Sequence, residues 1–261
     1  LVIERPAKSN DVVLGSSHSY YDGVIVRSGA ALVISNFQFS GSTTDFRDWM
    51  ILENGARVEV WDRDTTTYQG WRWNAPIQLL GDATFFGDRD EFNLNQDAGY
   101  LEGPGALIKE GDSRLTLRGF SPDFTGALIA QDGVLEFLTY HVNLLPNASE
   151  IAIGFPANTN RGLVAFYVRP EARNLAEETV VGQNIRVVGE STLTRLGVFR
   201  PDHNDVIRFT GNIDLTQFDT YGNTRSFVLY RGEENTSVQT RYENGDTLDE
   251  RTFMYLEGSI T

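Results

Sequence analysis

"GPGALIKEGDSRLTLRGFSPDFTGALIAQDGVLEF", Gly103 to Phe137, sets short alternating apolar runs between glycines and repeats the figure before it ends. Side chains on a strand point alternately to its two sides, so runs such as "ALIKE", "RLTL" and "GVLEF" read as half-buried strands. Glycine takes positive φ without strain and serves as the corner between them. The stretch reads as strand, turn, strand, turn, with no helical spacing between.

The same phrase recurs outward in both directions. Gly29 leads "GAALVI", Gly55 "GARVEV", Gly81 "GDATFF", Gly105 "GALI" and Gly133 "GVLEF", at steps of 26, 26, 24 and 28 residues. Gly162, Gly189 and Gly211 continue it at steps of 29, 27 and 22. A near-constant period of this length is the signature of a solenoid, in which each coil packs on its neighbours. Inward Leu, Ile, Val and Phe then form continuous ladders. About ten coils at about 4.8 Å each predict a rod roughly 50 Å long. Helical signals are poor; the best, Arg169 to Val181, predicts one or two turns in a loop. Asn244-Gly245, flanked by alternating residues, predicts a hairpin that adds to the coils in antiparallel fashion. The expected organisation is a solenoid over residues 1–225, with its clearest repeat at 77–137, and a strand-and-hairpin segment over 226–261.

On Gly105, Leu107, Lys109, Gly111, Leu115, Leu117, Gly119, Phe124, Thr125, Gly126, Gly133 and Leu135 the chain resembles the autotransporter-associated β-strand repeat. Members of that family read approximately G-G-L-x-K-x-G-x-G-T-L-x-L-x-G-x-N-x-Y-T-G-x-T-x-V-x-x-G-x-L. Ser113 replaces a usual Gly, Asp123 stands near a usual Asn, and "ALIAQD" replaces a Thr-rich return. The resemblance covers Ile77 to Phe137. It implies a right-handed parallel β-helix, secreted or held on a bacterial surface, with adhesive or structural functions. Related repeats also occur in freestanding extracellular and phage-associated proteins.

Composition excludes several classes of function. Asp and Glu number 36 against 22 Lys and Arg, a net charge of −14. That balance opposes nucleic acid, whose phosphates need clustered cations, and anionic membrane surfaces. The only lysines are Lys8 and Lys109, which suits a salty exterior or a GC-rich genome. With no Cys there is no disulfide, thiolate metal site or Cys nucleophile. No run approaches the roughly 18 apolar residues of a membrane-spanning helix. Beginning at Leu1, the chain reads as a processed form or an excised fragment.

β-Helices include glycan hydrolases and lyases, which work with paired carboxylates at set separation. The sequence patterns of those enzymes (an Asp-Asp pair, Asn-Thr-Asp, Gly-His-Gly with a later Arg-Ile-Lys) are absent, and no catalytic residue is expected. Asp62 and Asp64, and Asp88, Asp90 and Glu91, offer alternate carboxylates of the kind that hold Ca²⁺. Each set lacks the rest of a calcium loop and reads as a surface turn, so no metal or cofactor is expected. His18, His141 and His203, the last between Asp202 and Asp205, read as hydrogen-bonded loop histidines. Asn147 and Asn235 open glycosylation sequons that matter only in a eukaryotic source.

Trp49, Trp61, Trp71 and Trp73 are all the tryptophans and lie close together in sequence. "DTTTYQGWRWN" interrupts the strand rhythm as an insertion does, so Trp61, Tyr68, Trp71 and Trp73 are the expected glycan or protein contacts. The open edges of the end coils are the expected assembly surfaces, through Val12 and Leu14 at one end and Val228, Tyr230, Asn244 and Gly245 at the other. Head-to-tail pairing of unlike edges makes a filament. The expected function is a non-enzymatic extracellular or cell-surface structural or adhesive β-solenoid. The alternatives are a β-helix glycan hydrolase or lyase, and a phage tail or capsid accessory protein.

Overall fold

The computed structural model describes residues 2–4, 11–12, 23–35, 44–46, 48–61, 70–87, 91–94, 100–139, 144–155, 163–170, 179–189, 193–199, 206–218, 226–232 and 253–261. Within them the chain winds as a three-faced parallel β-solenoid. The first coil is β1 (Val2–Glu4), β2 (Asp11–Val12) and β3 (Val24–Val26). The second is β4 (Ala31–Ser35), β5 (Thr44–Phe46) and β6 (Met50–Leu52); the third is β7 (Ala56–Trp61), β8 (Gly70–Trp73) and β9 (Ile77–Leu79). The fourth is β10 (Ala83–Gly87), β11 (Glu91–Leu94) and β12 (Leu101–Glu102). Two coils follow with strands on only two faces, β13 (Leu107–Glu110) with β14 (Arg114–Leu117), and β15 (Leu128–Ala130) with β16 (Gly133–Thr139). The seventh is β17 (Ile151–Phe155), β18 (Leu163–Pro170) and β19 (Thr179–Val181); the eighth is β20 (Ile185–Gly189), β21 (Leu193–Phe199) and β22 (Val206–Phe209). The last is β23 (Ile213–Phe218), β24 (Ser226–Gly232) and β25 (Phe253–Leu256).

Like strands stack into long sheets, and every ladder among the described residues is parallel. Face one is a 9-stranded sheet from β1 to β23, and face two a 9-stranded sheet from β2 to β24. Among the described residues the coils therefore number nine, where about ten were expected, and their eight steps make a stack of roughly 40 Å. Face three holds a 4-stranded sheet, β12-β9-β6-β3, and a 3-stranded one, β19-β22-β25. Between them the face continues through single bonds. Gly103 bridges Phe124, Ser121 N–H donates to Leu144 O at 2.9 Å, and Gln183 Nε2 donates to Leu145 O at 2.6 Å. Pro122 and Pro146 lie in these coils and have no N–H to give a ladder, which is why strands lapse there.

The core follows from the alternation. On β7, Ala56, Val58 and Val60 face inward while Arg57 and Glu59 face outward. Register then stacks like on like: Ala56, Ala83, Leu107, Leu128, Ile151, Ile185 and Ile213 form one buried column along face one. Burying each Leu or Ile of such a column contributes about 1.5–3 kcal/mol relative to leaving it exposed. On face two Phe137 meets Phe166 edge-on, with ring centroids 4.8 Å apart.

The glycine column is real but its register departs from the sequence reading. Gly29, Gly55, Gly81 and Gly105 do precede successive face-one strands. The next member is Gly126, where a Cβ would stand 1.9 Å from Gly105 O. Gly133 instead opens β16 on face two, at φ 65°, above Gly111. Gly211 returns to the column before β23. Gly162 lies outside the described residues and Gly189 ends β20.

The C-terminal segment also differs from the antiparallel addition expected of it. β24 pairs in parallel with β21, and β25 with β22, so the described strands beyond residue 225 are the ninth coil. The hairpin centre at Asn244-Gly245 lies outside the described residues. Of the helical stretch expected from Arg169 to Val181, both ends are strand and residues 171–178 lie outside the description.

Candidate functional site

Of the four expected aromatic contacts, Trp61 and Trp73 are described with their side chains and lie on different faces. Trp73 alternates inward on β8 and is fully buried in the core. Trp71 occupies the same strand, with Thr44 and Phe92 as backbone partners. Tyr68 lies outside the described residues. Trp61 alone is seen on the surface, 38% exposed at the end of β7 on face one.

Trp61 belongs to a patch built across three coils. Its ring sits 5.0 Å from that of Phe86 on β10, tilted by 41°. Its Nε1 donates to Glu59 Oε2 at 3.0 Å, which fixes the indole orientation. Arg57 lies 6.0 Å from the Phe86 centroid and bonds Glu59 through Nε at 3.0 Å and Glu110 on β13 through a terminal nitrogen at 3.2 Å. Burial works against the Arg57 charge, yet the two carboxylates hold its guanidinium above the ordinary value. The arrangement presents an aromatic plate bordered by fixed hydrogen-bonding groups.

A groove on face three, unforeseen in the sequence, gathers a second aromatic set. Val24 N–H donates to Trp49 O, Met50 N–H to Pro76 O and Ile77 N–H to Tyr100 O, each at 2.9 Å, so Trp49, Pro76 and Tyr100 form a column before the strands. Beside it runs the outward column Ile25, Ile51, Gln78 and Glu102. Trp49, Met50, Ile51, Ala75, Pro76, Gln78 and Glu102 enclose about 400 Å³. Beneath, Gly23 leaves room for the indole: a Cβ there would stand 2.1 Å from Cδ2 and Cε2 of Trp49.

Two interior charges complete the inventory. Lys109 alternates inward on β13, 1% exposed. Its Nζ donates to Glu110 O at 2.7 Å, Gly111 O at 2.6 Å and Asp132 O at 3.3 Å, tying a coil corner to the coil above. Burial pushes its ammonium down to about 7, against the pull of Asp132, Asp112 and Glu110. On the outward side of face two, Thr116, Glu136 and Tyr167 are buried, so this sheet is covered on both sides. Glu136 pairs there with Arg114 Nε at 3.5 Å, and Arg195 donates to Tyr167 Oη at 3.4 Å. The cluster is enclosed and reads as a structural ion-pair network.

Among the described residues no group of acidic or histidine side chains is placed to hold a metal ion. Asp62, Asp64, Asp88, Asp90, His18, His141, Asp202, His203 and Asp205 lie outside the described residues, and of Glu91 the backbone in β11 is described. Of the assembly residues, Val12 is on β2 and Val228 and Tyr230 are on β24, the two outermost strands of face two. Leu14, Asn244 and Gly245 lie outside the description. Among the described residues no helix is long and apolar enough to cross a membrane. In comparison with known proteins, no family model, no curated protein and no solved structure matches the chain.

Proposed function

We propose that the chain is a non-enzymatic structural and adhesive solenoid of the autotransporter-associated repeat type, acting outside a bacterial cell or on its surface and binding glycan. The observation that carries this reading is the exposed Trp61–Phe86 plate, held by Glu59 on a stack of paired strands. An apolar ring face with hydrogen-bonding neighbours suits the alternating faces of a sugar. The repeat's lysine, Lys109, takes an internal structural position, which fits a repeat that serves the scaffold.

A glycan hydrolase or lyase is the competing reading. It needs two carboxylates free to act on one bond. Beside Trp61 the two available, Glu59 and Glu110, share the Arg57 guanidinium, which favours binding over catalysis. Incubation with a panel of neutral and acidic polysaccharides is expected to give binding to at least one of them without new reducing ends, and Trp61→Ala to weaken binding at the face-one plate by about tenfold. Sustained release of reducing ends would sink the non-enzymatic reading.

Filament formation is a second reading, favoured by the last coil. Leu229, stacked on the core residue Leu196, is 42% exposed, and Ile260, bridged to Ile213, is 52% exposed. The core columns thus end in open apolar side chains suited to another coil. Light scattering that grows with concentration, and that Leu229→Asp abolishes, is expected; a monomer throughout rejects assembly.

A further inference from the structure

We propose that the face-three groove at Trp49 is a separate binding site for a neutral, unbranched polysaccharide lying along the solenoid axis. This rests on the glycan-binding reading above and assigns it a site and a ligand class.

Three features of the groove point to this occupant. Trp49 is seated on Gly23, which has no side chain to lift the indole, so the plate is set before any ligand arrives. Preorganised aromatic surface binds with little ordering cost. Gln78 and Glu102 are register neighbours one coil apart, so their polar ends repeat along the axis at the step of the solenoid, about 4.8 Å. A chain of linked sugars laid along that column meets the indole with a ring face and the amide and carboxylate with its hydroxyls. Tyr100, 37% exposed, continues the aromatic column one coil beyond Pro76.

Charge and backbone pairing select among occupants. Among the described residues that line the groove Glu102 is the one carboxylate, in a chain of net charge −14, so uronate or sulfated glycans are repelled and a neutral chain is not. A peptide joining by strand addition needs an open edge. In the groove β6 is paired to β3 and β9, and β9 to β6 and β12, while beyond β12 Leu101 N–H donates to Ser121 Oγ and Gly103 N–H to Asp123 O, so these backbone groups are already taken.

Affinity electrophoresis of the full chain in gels containing hydroxyethylcellulose, dextran, mannan, polygalacturonate or hyaluronate tests the assignment. The expected result is retardation by at least one neutral polymer and by neither acidic one. Trp49→Ala and Gln78→Ala should each weaken that retardation, the former by about tenfold. Gln78 lies on the outer face, so its variant keeps the test valid if Trp49→Ala fails to fold. Retardation by acidic polymers alone, or by neutral ones but unchanged in both groove variants, overturns the groove assignment and leaves glycan binding standing. Retardation by no polymer overturns both. Capture of a proline-rich peptide in place of every neutral polymer also overturns it.

Discussion

Replacing Lys109 by Met removes a charge from the interior while keeping a similar stem, and the consequence is read in the pH dependence of stability. In the fold the Lys109 ammonium sits near 7, against an ordinary value of 10.5, because burial disfavours the charge. Between those two values the unfolded chain binds the proton and the folded chain has lost it, so stability rises with pH across that window and is flat below it. Integrating the two titrations gives a gain of about 2 kcal/mol between pH 7 and pH 9, which the Met variant lacks. The three carbonyls that accept from Nζ favour the charged form, so about 2 kcal/mol is an upper bound. Stability at neutral pH alone does not discriminate. Hydrogen bonds from a charged donor contribute about 1.5–3 kcal/mol each, while burying the charge costs about 5 kcal/mol from the same displacement, and the two nearly offset.

The measurement is urea unfolding of both chains at pH 7 and pH 9. Other titrating groups are common to the two and cancel in the difference. The wild type should gain more stability on going to pH 9 than Lys109→Met does. Equal gains would show that Lys109 is not a buried, depressed cation, and the corner geometry described above would be wrong.

Gly105→Ala should cost about 2 kcal/mol or more, since its Cβ would stand 2.0 Å from the backbone oxygen of Gly81 and force two coils apart. Gly29→Ala meets nothing within 4 Å and pays only for its positive φ, about 1 kcal/mol, so equal losses at the two sites in thermal unfolding would refute the stacking argument. Glu136→Gln removes the buried charge that faces Arg114 and should lose about 3 kcal/mol in urea titration; a loss under about 1 kcal/mol would show the pair to be solvated. Addition of chelator should leave the melting temperature unchanged within about 1 °C, whereas a shift of many degrees would reveal a bound cation.

The fold was legible because a solenoid writes its geometry into the chain twice, as alternation and as corners. "GARVEV" and "GDATFF" became β7 and β10 with the expected inward residues. The register failed at Gly133 because two different glycine ladders run down the solenoid. One precedes face one and the other, through Gly111, precedes face two. A coil shortened between Gly105 and Gly126 brings the second ladder's glycine to where a constant period expects the first. At the C-terminus alternation fits either direction of pairing, and only the stacking of β24 on β21 and β25 on β22 shows that these two strands join the coils in parallel. Face two was not legible either. Alternation marks Thr116, Glu136 and Tyr167 as outward, but outward on a sheet covered on both sides is not exposed.

The candidate sites follow the same geometry. One coil passes all three faces before returning, so residues close in sequence are carried apart in space. Trp49 falls before face three, Trp61 on face one, and Trp71 and Trp73 on face two. Residues one or two coils apart are instead brought side by side: Trp61 meets Phe86, Arg57 meets Glu110, and Trp49 lines one groove with Gln78 and Glu102. A surface site on a solenoid is therefore a column and not a motif. Since alternate side chains of each strand point to opposite sides, an outward column can change its chemistry without disturbing the inward one. The side chains that select a ligand are then under different constraints from those that hold the rod together. The aromatic pair on face one and the Trp49 groove on face three can accordingly be altered one at a time, and the effect of each on binding separated from any effect on the fold.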